Sequence, residues 1–417
     1  MVAEQRFWVA RHAGKLTSTL SRRLGRGEGA VIGGRVALAL DPGALRRLAR
    51  ERRIALVSGT NGKTTTSHLL AAVLRTLGPV AHNATGANMP DGALAALADA
   101  PDAQLAVLEV DELHVATVAG AVDPRVVVLG NLSRDQLDRG NEVRAVAAAL
   151  AQALRHHPDT WVVANADDPM VVWAARAAAR TVWVSAGSGW SGDTAGCPRC
   201  GEPLRLTLGR AWGCRCGLVR PRPQWSVRRE DCALTDDEGL SVPLSLHLPG
   251  AFNLGNAALA LVAGAVLGAD PLVAAAGLAN VSNVGDRYRK VRRGRHELRL
   301  LMAKNPAGWA ETLPLLEPDA SLLLVINARE ADGRDTSWLW DVPFEQLTSR
   351  PGVATDVVAA GERAHDLGLR LDYGHVRHTT VTDPVDALAC LPPGKVEVVA
   401  NYTAFRTLAR RLATEHT

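Results

Sequence analysis

The stretch SGTNGKTTT, Ser58 to Thr66, decides how the rest of the chain is read. It closes the apolar run IALVSG (54–59) and opens a segment with apolar residues at Leu69, Leu70, Val73 and Leu74, so it reads as strand, loop, helix. In that setting backbone N–H groups and the first helical turn face an anion. Lys63 is placed to reach the β- and γ-phosphates of a nucleotide, and the Thr64 hydroxyl to hold Mg²⁺; Thr60, Asn61, Gly62 and Thr65 complete the loop. The full G-x-x-x-x-G-K-[ST] pattern is not met, because Val57 stands where its first glycine would be.

Working outward, further strands are expected at LAVLEVDE (105–112), RVVVLGN (125–131) and TWVVANADDP (160–169), separated by alanine-rich helical stretches such as 142–154. Strands alternating with helices predict an α/β fold with a mostly parallel sheet. The rhythm breaks near Gly187, where Gly, Pro, Cys and Arg dominate, and resumes at 241–268. A new strand series, LRLLMAKN, SLLLVIN, DVVAAG and VEVVAN, follows the basic run DRYRKVRRGRH. The expected organisation is a basic, amphipathic lead-in at 1–50, a central nucleotide-binding domain at 51–290, an insertion within it at 190–225, and a smaller C-terminal α/β domain at 291–417.

The insertion holds CPRC (197–200) and CRC (214–216), each pair followed by a glycine, Gly201 or Gly217. Paired knuckles of this kind supply four thiolates to tetrahedral Zn²⁺. Cys197, Cys200, Cys214 and Cys216 are therefore expected to form a structural zinc ribbon with no open coordination position. Cys232 and Cys390 lack a nearby His or Asn pattern and are expected to be packing residues.

Length and composition agree with a multi-domain globular chain. With 417 residues, 47% of them hydrophobic, it can fill two or three cores at roughly 150 residues per domain. A net charge of +4 from 47 basic and 43 acidic residues argues against wholesale nucleic-acid binding. No segment approaches the ~20 apolar residues of a membrane helix, and the first residues lack a secretion signal, so a cytoplasmic protein is expected. The N-terminal segment interleaves Phe7, Trp8, Val9 and Leu16 with Arg6, Arg11, Lys15, Arg22 and Arg23. It reads as a docking helix with a solvated basic face or as a contact with the inner face of an anionic membrane.

The variant loop resembles that of the Mur ligase family, the ATP-dependent peptide-bond formers of cell-wall synthesis. The likeness continues in order through NADDP (165–169), LPGAFNLGNAALA (248–260) with Asn253 and Asn256, and VGDRYRKV (284–291) with Arg287. The resemblance implies ATP and Mg²⁺, with Glu109 at the end of its strand as a metal ligand, Asp111 and Glu112 as substitutes for it, Asn253 and Asn256 on the adenine side, and Arg287 on phosphate. The chain departs from the family twice. Gln136 stands where the family's metal-binding histidine would be, and no lysine lies between Lys63 and Lys290 to form the carbamate many members use.

The ribbon, the short N-terminus and the strings AKNPAGWAETL (303–313), NAREADGRDTSWLWDVPFE (327–345) and ANYTAFRTLARRL (400–412) resemble the MurT branch of that family. The resemblance implies a synthetase subunit that amidates the D-glutamate α-carboxylate of lipid II through an acyl phosphate, with ammonia supplied by a GatD-like glutaminase partner. It also implies an aspartate lent to the partner's Cys-His pair: Asp335, Asp341 or Asp332, with Asp335 favoured. Two rival readings remain: a stand-alone amino-acid ligase of the Mur or folylpolyglutamate type, and a nucleic-acid-binding ribbon module.

Overall fold

A computed structural model describes residues 2–23, 30–134, 142–187, 196–206, 211–281, 284, 288–348 and 356–414. Arg287 and Gln136 lie outside them. The described residues divide into two compact units: the first runs to Leu132 and from Glu142 to Val284, and the second takes Ser133, Arg134 and the residues from Tyr288 onward.

The first unit opens with three helices, α1 (Val2–Arg23), α2 (Ala30–Leu40) and α3 (Ala44–Ala49). Its strands are β1 (Arg53–Ser58), β2 (Val80–His82), β3 (Leu105–Glu109), β4 (Val126–Leu129), β5 (Trp161–Asn165), β6 (Arg180–Ser185), β7 (Arg205–Leu206), β8 (Trp212–Gly213), β9 (Trp225–Arg228), β10 (Ala233–Asp236) and β11 (Ser241–Pro243). The helices between and after them are α4 (Lys63–Leu74), α5 (Pro90–Asp99), α6 (Val115–Val122), α7 (Val143–Arg155), α8 (Pro169–Ala175), α9 (Phe252–Val266) and α10 (Pro271–Leu278).

Nine of these strands form one sheet in the order β11-β10-β9-β6-β5-β4-β1-β3-β2. From β2 to β9 every pairing is parallel, and β9, β10 and β11 finish the edge antiparallel. β1, β3 and β4 read as unbroken apolar runs because helices cover both faces: Ile54, Leu56 and Leu108 enter one core, Ala55, Val57 and Val107 the other. β1 sits between β3 and β4, so the loop leaving it emerges beside the ends of both.

β7 and β8 form a separate hairpin in the insertion. The insertion packs on the rest of the first unit through Cys197, Trp212 and Leu218 against Val172 of α8.

The second unit contains β12 (Tyr288–Arg293), β13 (His296–Met302), β14 (Ser321–Val325), β15 (Val357–Ala360), β16 (Thr379–Val381) and β17 (Gly394–Ala400), with α11 (Pro306–Thr312), α12 (Ala364–Tyr373), α13 (Pro384–Ala387) and α14 (Tyr402–Thr414). Its sheet runs β12-β13-β17-β14-β15-β16, parallel except for the β12–β13 hairpin. That hairpin moves the boundary: Tyr288, Arg289 and Lys290 pair with β13, so they belong to the second unit and not to a central domain ending at residue 290.

A further expectation is corrected. Cys232 and Cys390 are exposed, not packed: Cys232 lies in a left-handed turn between β9 and β10, and Cys390 in a short turn before β17. Of the two tryptophans in the DGRDTSWLWD string, Trp338 is buried and Trp340 is half exposed.

Candidate functional site

β1 delivers the loop through Gly59 at φ +138° and turns it into α4 at Gly62, φ +78°. Only glycine suits Gly62: a Cβ there would lie 2.6 Å from Asn256 Oδ1 as well as in the left-handed region. Asn256, on α9, accepts from the Thr66 hydroxyl at 3.3 Å and donates to Asn253 Oδ1 at 3.0 Å. Asn253 donates in turn to the Pro249 carbonyl at 2.6 Å. The two asparagines thus brace the loop's exit turn.

On the other side the loop is gripped by Asn131, just past β4. Its Oδ1 accepts from Asn61 N–H at 2.9 Å, its Nδ2 donates to the Asn61 carbonyl at 2.9 Å, and its own carbonyl accepts from Thr60 N–H at 2.8 Å. Sequence reasoning passed over Asn131 within NLSRDQLDRGN, although its place one residue beyond a central strand's glycine was a usable signal.

Lys63, Thr64 and Thr65 are all buried at the start of α4. Lys63 Nζ donates to the Gly59 carbonyl at 2.5 Å and pairs with Glu112 at 3.0 Å. Glu112 is therefore the lysine's counter-ion here, while Asp111 caps the turn that carries it by accepting from Leu113 N–H. Glu109, 2% exposed at the end of β3, has its backbone clamped by Asn83 on both N–H and C=O at 2.8 Å. Its Oε2 is buried without a hydrogen-bond partner. A Cβ built on Gly86 would stand 3.8 Å from both that oxygen and Thr64 Oγ1, so the two face a common gap. An unsatisfied buried carboxylate oxygen opposite a threonine hydroxyl fits a hard divalent cation such as Mg²⁺.

Beside this loop, NADDP divides its labour. Asp168 caps α8 through Met170 and Val171 and accepts from Leu132 N–H at 2.8 Å, fixing the segment that carries Asn131. Asp167 accepts from Gly187 N–H at 2.7 Å and from both Nε and Nη2 of Arg220, at 3.0 and 2.7 Å.

The four cysteine sulfurs of the insertion lie within 4.8 Å of one another, with Cys197–Cys216 at 3.6 Å and Cys200–Cys214 at 3.4 Å. Four thiolates at about 2.3 Å from one Zn²⁺ would have sulfurs roughly 3.8 Å apart, so the donor set and spacing fit that metal. Each knuckle closes at a left-handed glycine, Gly201 at +81° and Gly217 at +88°, whose N–H groups donate to the Cys197 and Cys214 carbonyls.

The three C-terminal aspartates differ in setting. Asp332 is buried, bonded to Thr403 N–H and hydroxyl and to Arg329 N–H, and burial raises its pKa. Asp341 pairs with Arg134 at 3.2 Å. Asp335 is exposed and accepts from Ser337 N–H at 2.8 Å, a bond that lowers its pKa.

Comparison with known proteins adds to this geometry. Residues 57–193 match the family model described as Mur ligase middle domain, and residues 302–405 match that described as MurT ligase C-terminal. A lipid II isoglutaminyl synthase (glutamine-hydrolyzing) subunit MurT from Staphylococcus aureus strain N315 is 29% identical, with 98% of each chain covered. The Streptococcus pneumoniae subunit of the same description is also 29% identical, covering 86% of this chain and 85% of its own. Among solved structures, a pseudomurein peptide ligase type C from Methanothermus fervidus shares the fold at TM-score 0.68 and 20% identity, covering 90% of this chain and 81% of its own. Folylpolyglutamate synthase from Mycobacterium tuberculosis does so at TM-score 0.60 and 17% identity, over 90% and 93%.

Proposed function

The chain belongs to the Mur ligase family and carries a MurT-type C-terminal domain; from that premise we propose that it is the synthetase subunit of a lipid II isoglutaminyl synthase. In this reading it is an ATP-dependent carbon–nitrogen ligase of peptidoglycan synthesis. It converts the α-carboxylate of D-glutamate in the lipid II stem peptide to the amide, D-isoglutamine, at the cytoplasmic face of the membrane.

A carboxylate is a poor electrophile. Transfer of the γ-phosphoryl group from ATP to a carboxylate oxygen gives ADP and an acyl phosphate. Ammonia then forms the C–N bond with its lone pair, phosphate leaves with the C–O bonding electrons, and the nitrogen releases a proton. The enzyme's share is positioning and charge neutralisation.

The Thr60–Thr65 loop, held open by Asn131 and Asn256, offers its N–H groups to the phosphates. Lys63, paired with Glu112 in the free protein, offers its positive charge to phosphate oxygens. Thr64 and Glu109 would hold Mg²⁺, which neutralises charge across the β- and γ-phosphates when bound. The Cys₄ ribbon, closed by four thiolates, would use Zn²⁺ for folding and not for chemistry.

Ammonia is mostly protonated near neutral pH, which favours delivery from a glutaminase of the GatD type. Asp335, exposed and ionised on the second unit, is suited to orient such a partner's catalytic histidine.

The observation that carries the reading is the unpaired Oε2 of Glu109 facing Thr64 beside the phosphate loop. The test is mass spectrometry of lipid II incubated with the protein, ATP, Mg²⁺ and ammonium chloride at mildly alkaline pH. A loss of about one dalton at the glutamate is expected for replacement of OH by NH₂ through the acyl phosphate. No change, with ATP bound and with a glutaminase partner and glutamine also failing to restore activity, would overturn it.

A further inference from the structure

The N-terminal helix α1 is fixed to the first unit by one face and presents a second apolar face outward. Gly14 and Gly33 bring the backbones of α1 and α2 together so closely that a Cβ on Gly14 would stand 2.7 Å from the Gly33 carbonyl oxygen. Ala10 is buried in the same face, and Arg47 stacks over the Phe7 ring at 5.6 Å. α2 packs in turn on α5. The orientation of α1 about its axis is therefore set by this packing, whatever covers its other side.

On that other side Val9, Leu16 and Leu20 are 50%, 72% and 59% exposed, and Trp8 is 61% exposed. Val9, Leu16 and Leu20 stand at i, i+7 and i+11, one stripe along a helix of 3.6 residues per turn. Basic side chains flank the stripe: Arg6 on one side and Lys15, beyond Trp8, on the other, while Arg11 lies towards the packed face beside Phe7 and Gly14. The charge is concentrated here. Residues 1–40 hold seven basic and two acidic residues, a net +5, whereas the whole chain is +4 and the remainder thus −1.

We propose that α1 docks in the plane of an anionic lipid bilayer, with Val9, Leu16, Leu20 and Trp8 seated among the acyl chains and the flanking Arg6 and Lys15 among the headgroups. A protein groove could cover the leucines, but it would not require the chain's positive charge to be gathered around them. A helix of 22 residues is about 33 Å long, and no described helix is apolar enough to cross a membrane, so an in-plane seat matches its polarity. Docking would place the first unit at the surface that carries a lipid-linked substrate, but the inference rests on the helix and not on the proposed reaction.

The test is flotation of the full-length protein with phosphatidylcholine vesicles, with and without phosphatidylglycerol, none containing lipid II. Wild type should float with the anionic vesicles, less so at high salt, and poorly with the neutral ones. The double variant Leu16→Glu, Leu20→Glu should lose binding by about tenfold or more while binding a fluorescent ATP analogue as wild type does, since both side chains are exposed. Absence of wild-type binding overturns the proposal, as does binding that the double variant retains. A wild-type dimer that the variant converts to monomer, with neither floating, assigns the stripe to a second copy of this chain and overturns it equally. Because the vesicles lack lipid II, none of these outcomes depends on whether amidation occurs.

Discussion

Arg220 sets its Nε and Nη2 on one oxygen of Asp167, the closer contact at 2.7 Å, and so ties the end of the cysteine ribbon to the strand-end motif of the nucleotide-binding unit. The ribbon makes a second contact there, since Trp212 Nε1–H donates to the Ala166 carbonyl. Asp168 holds Leu132, and Asn131 before it holds Asn61 of the phosphate loop. A continuous set of bonds thus runs from the ribbon to the nucleotide loop.

Arg220→Ala leaves Asp167 buried without its counter-ion, a change worth about 3 kcal/mol for an enclosed pair. The expected result is one zinc retained per chain, a thermal midpoint several degrees lower and weaker ATP-analogue binding. Metal analysis beside a binding titration checks it. Unchanged affinity at full zinc content would show that the bonds do not transmit to the loop.

Removing the ammonium of Lys63 should stop turnover without unfolding the unit. Lys63→Met keeps most of the stem in its buried slot but takes away the charge that meets the phosphates. Ammonium-dependent ADP release should fall by about 10³-fold, the scale for loss of one well-placed electrostatic group. A circular dichroism spectrum like that of wild type separates this from collapse.

Glu109→Gln should likewise spare stability. The carboxylate's Oε2 satisfies nothing inside the protein, so the amide should leave the metal-free thermal midpoint nearly unchanged. Mg²⁺-dependent tightening of nucleotide binding should be largely lost. A drop of many degrees in the midpoint instead would mean that the carboxylate is structural.

How much of this could be read beforehand follows sequence distance. The phosphate loop was legible because strand, glycine turn and helix lie within some twenty residues, and the ribbon because each knuckle is a short cysteine pair with its glycine. β2 has only three residues, and β9 and β10 sit among arginines and glycines, so neither offered a period to find. The Arg220–Asp167 pair spans 53 residues in a chain with arginine at many surface positions, and nothing local distinguishes that arginine from its neighbours. The same limit hid the role of Glu112, which is defined by the lysine that the folded loop brings to it.

A pH dependence follows from His82. Burial, with His68 and Arg75 nearby, lowers its pKa to about 3 from an ordinary 6.5. Between those values the unfolded chain takes up a proton that the folded one refuses. The contribution is therefore fully present above pH 6.5 and is lost as pH falls towards 3. From pH 6.5 to 5 this group alone should remove about 1.5 kcal/mol. Urea unfolding of wild type and His82→Asn across that range should show the slope in the first and a shallower one in the second.

Asp335 and Asp332 are separable by substitution. Asparagine caps a turn as well as aspartate does, so Asp335→Asn keeps the bond from Ser337 N–H and the local fold. It removes only the exposed charge, so activity driven by added ammonium should be unchanged. Glutamine-driven activity with a glutaminase partner should fall by about 10³-fold or more, the scale seen when a triad loses the acid that sets its histidine. Asp332→Ala should instead lower the thermal midpoint of the second unit and reduce both activities together, because it strips the acceptor from Thr403 and Arg329 in a buried site. If Asp335→Asn leaves glutamine-driven turnover intact, the exposed aspartate lent to the partner is not this one, and Asp341, tied to Arg134, becomes the residue to substitute next.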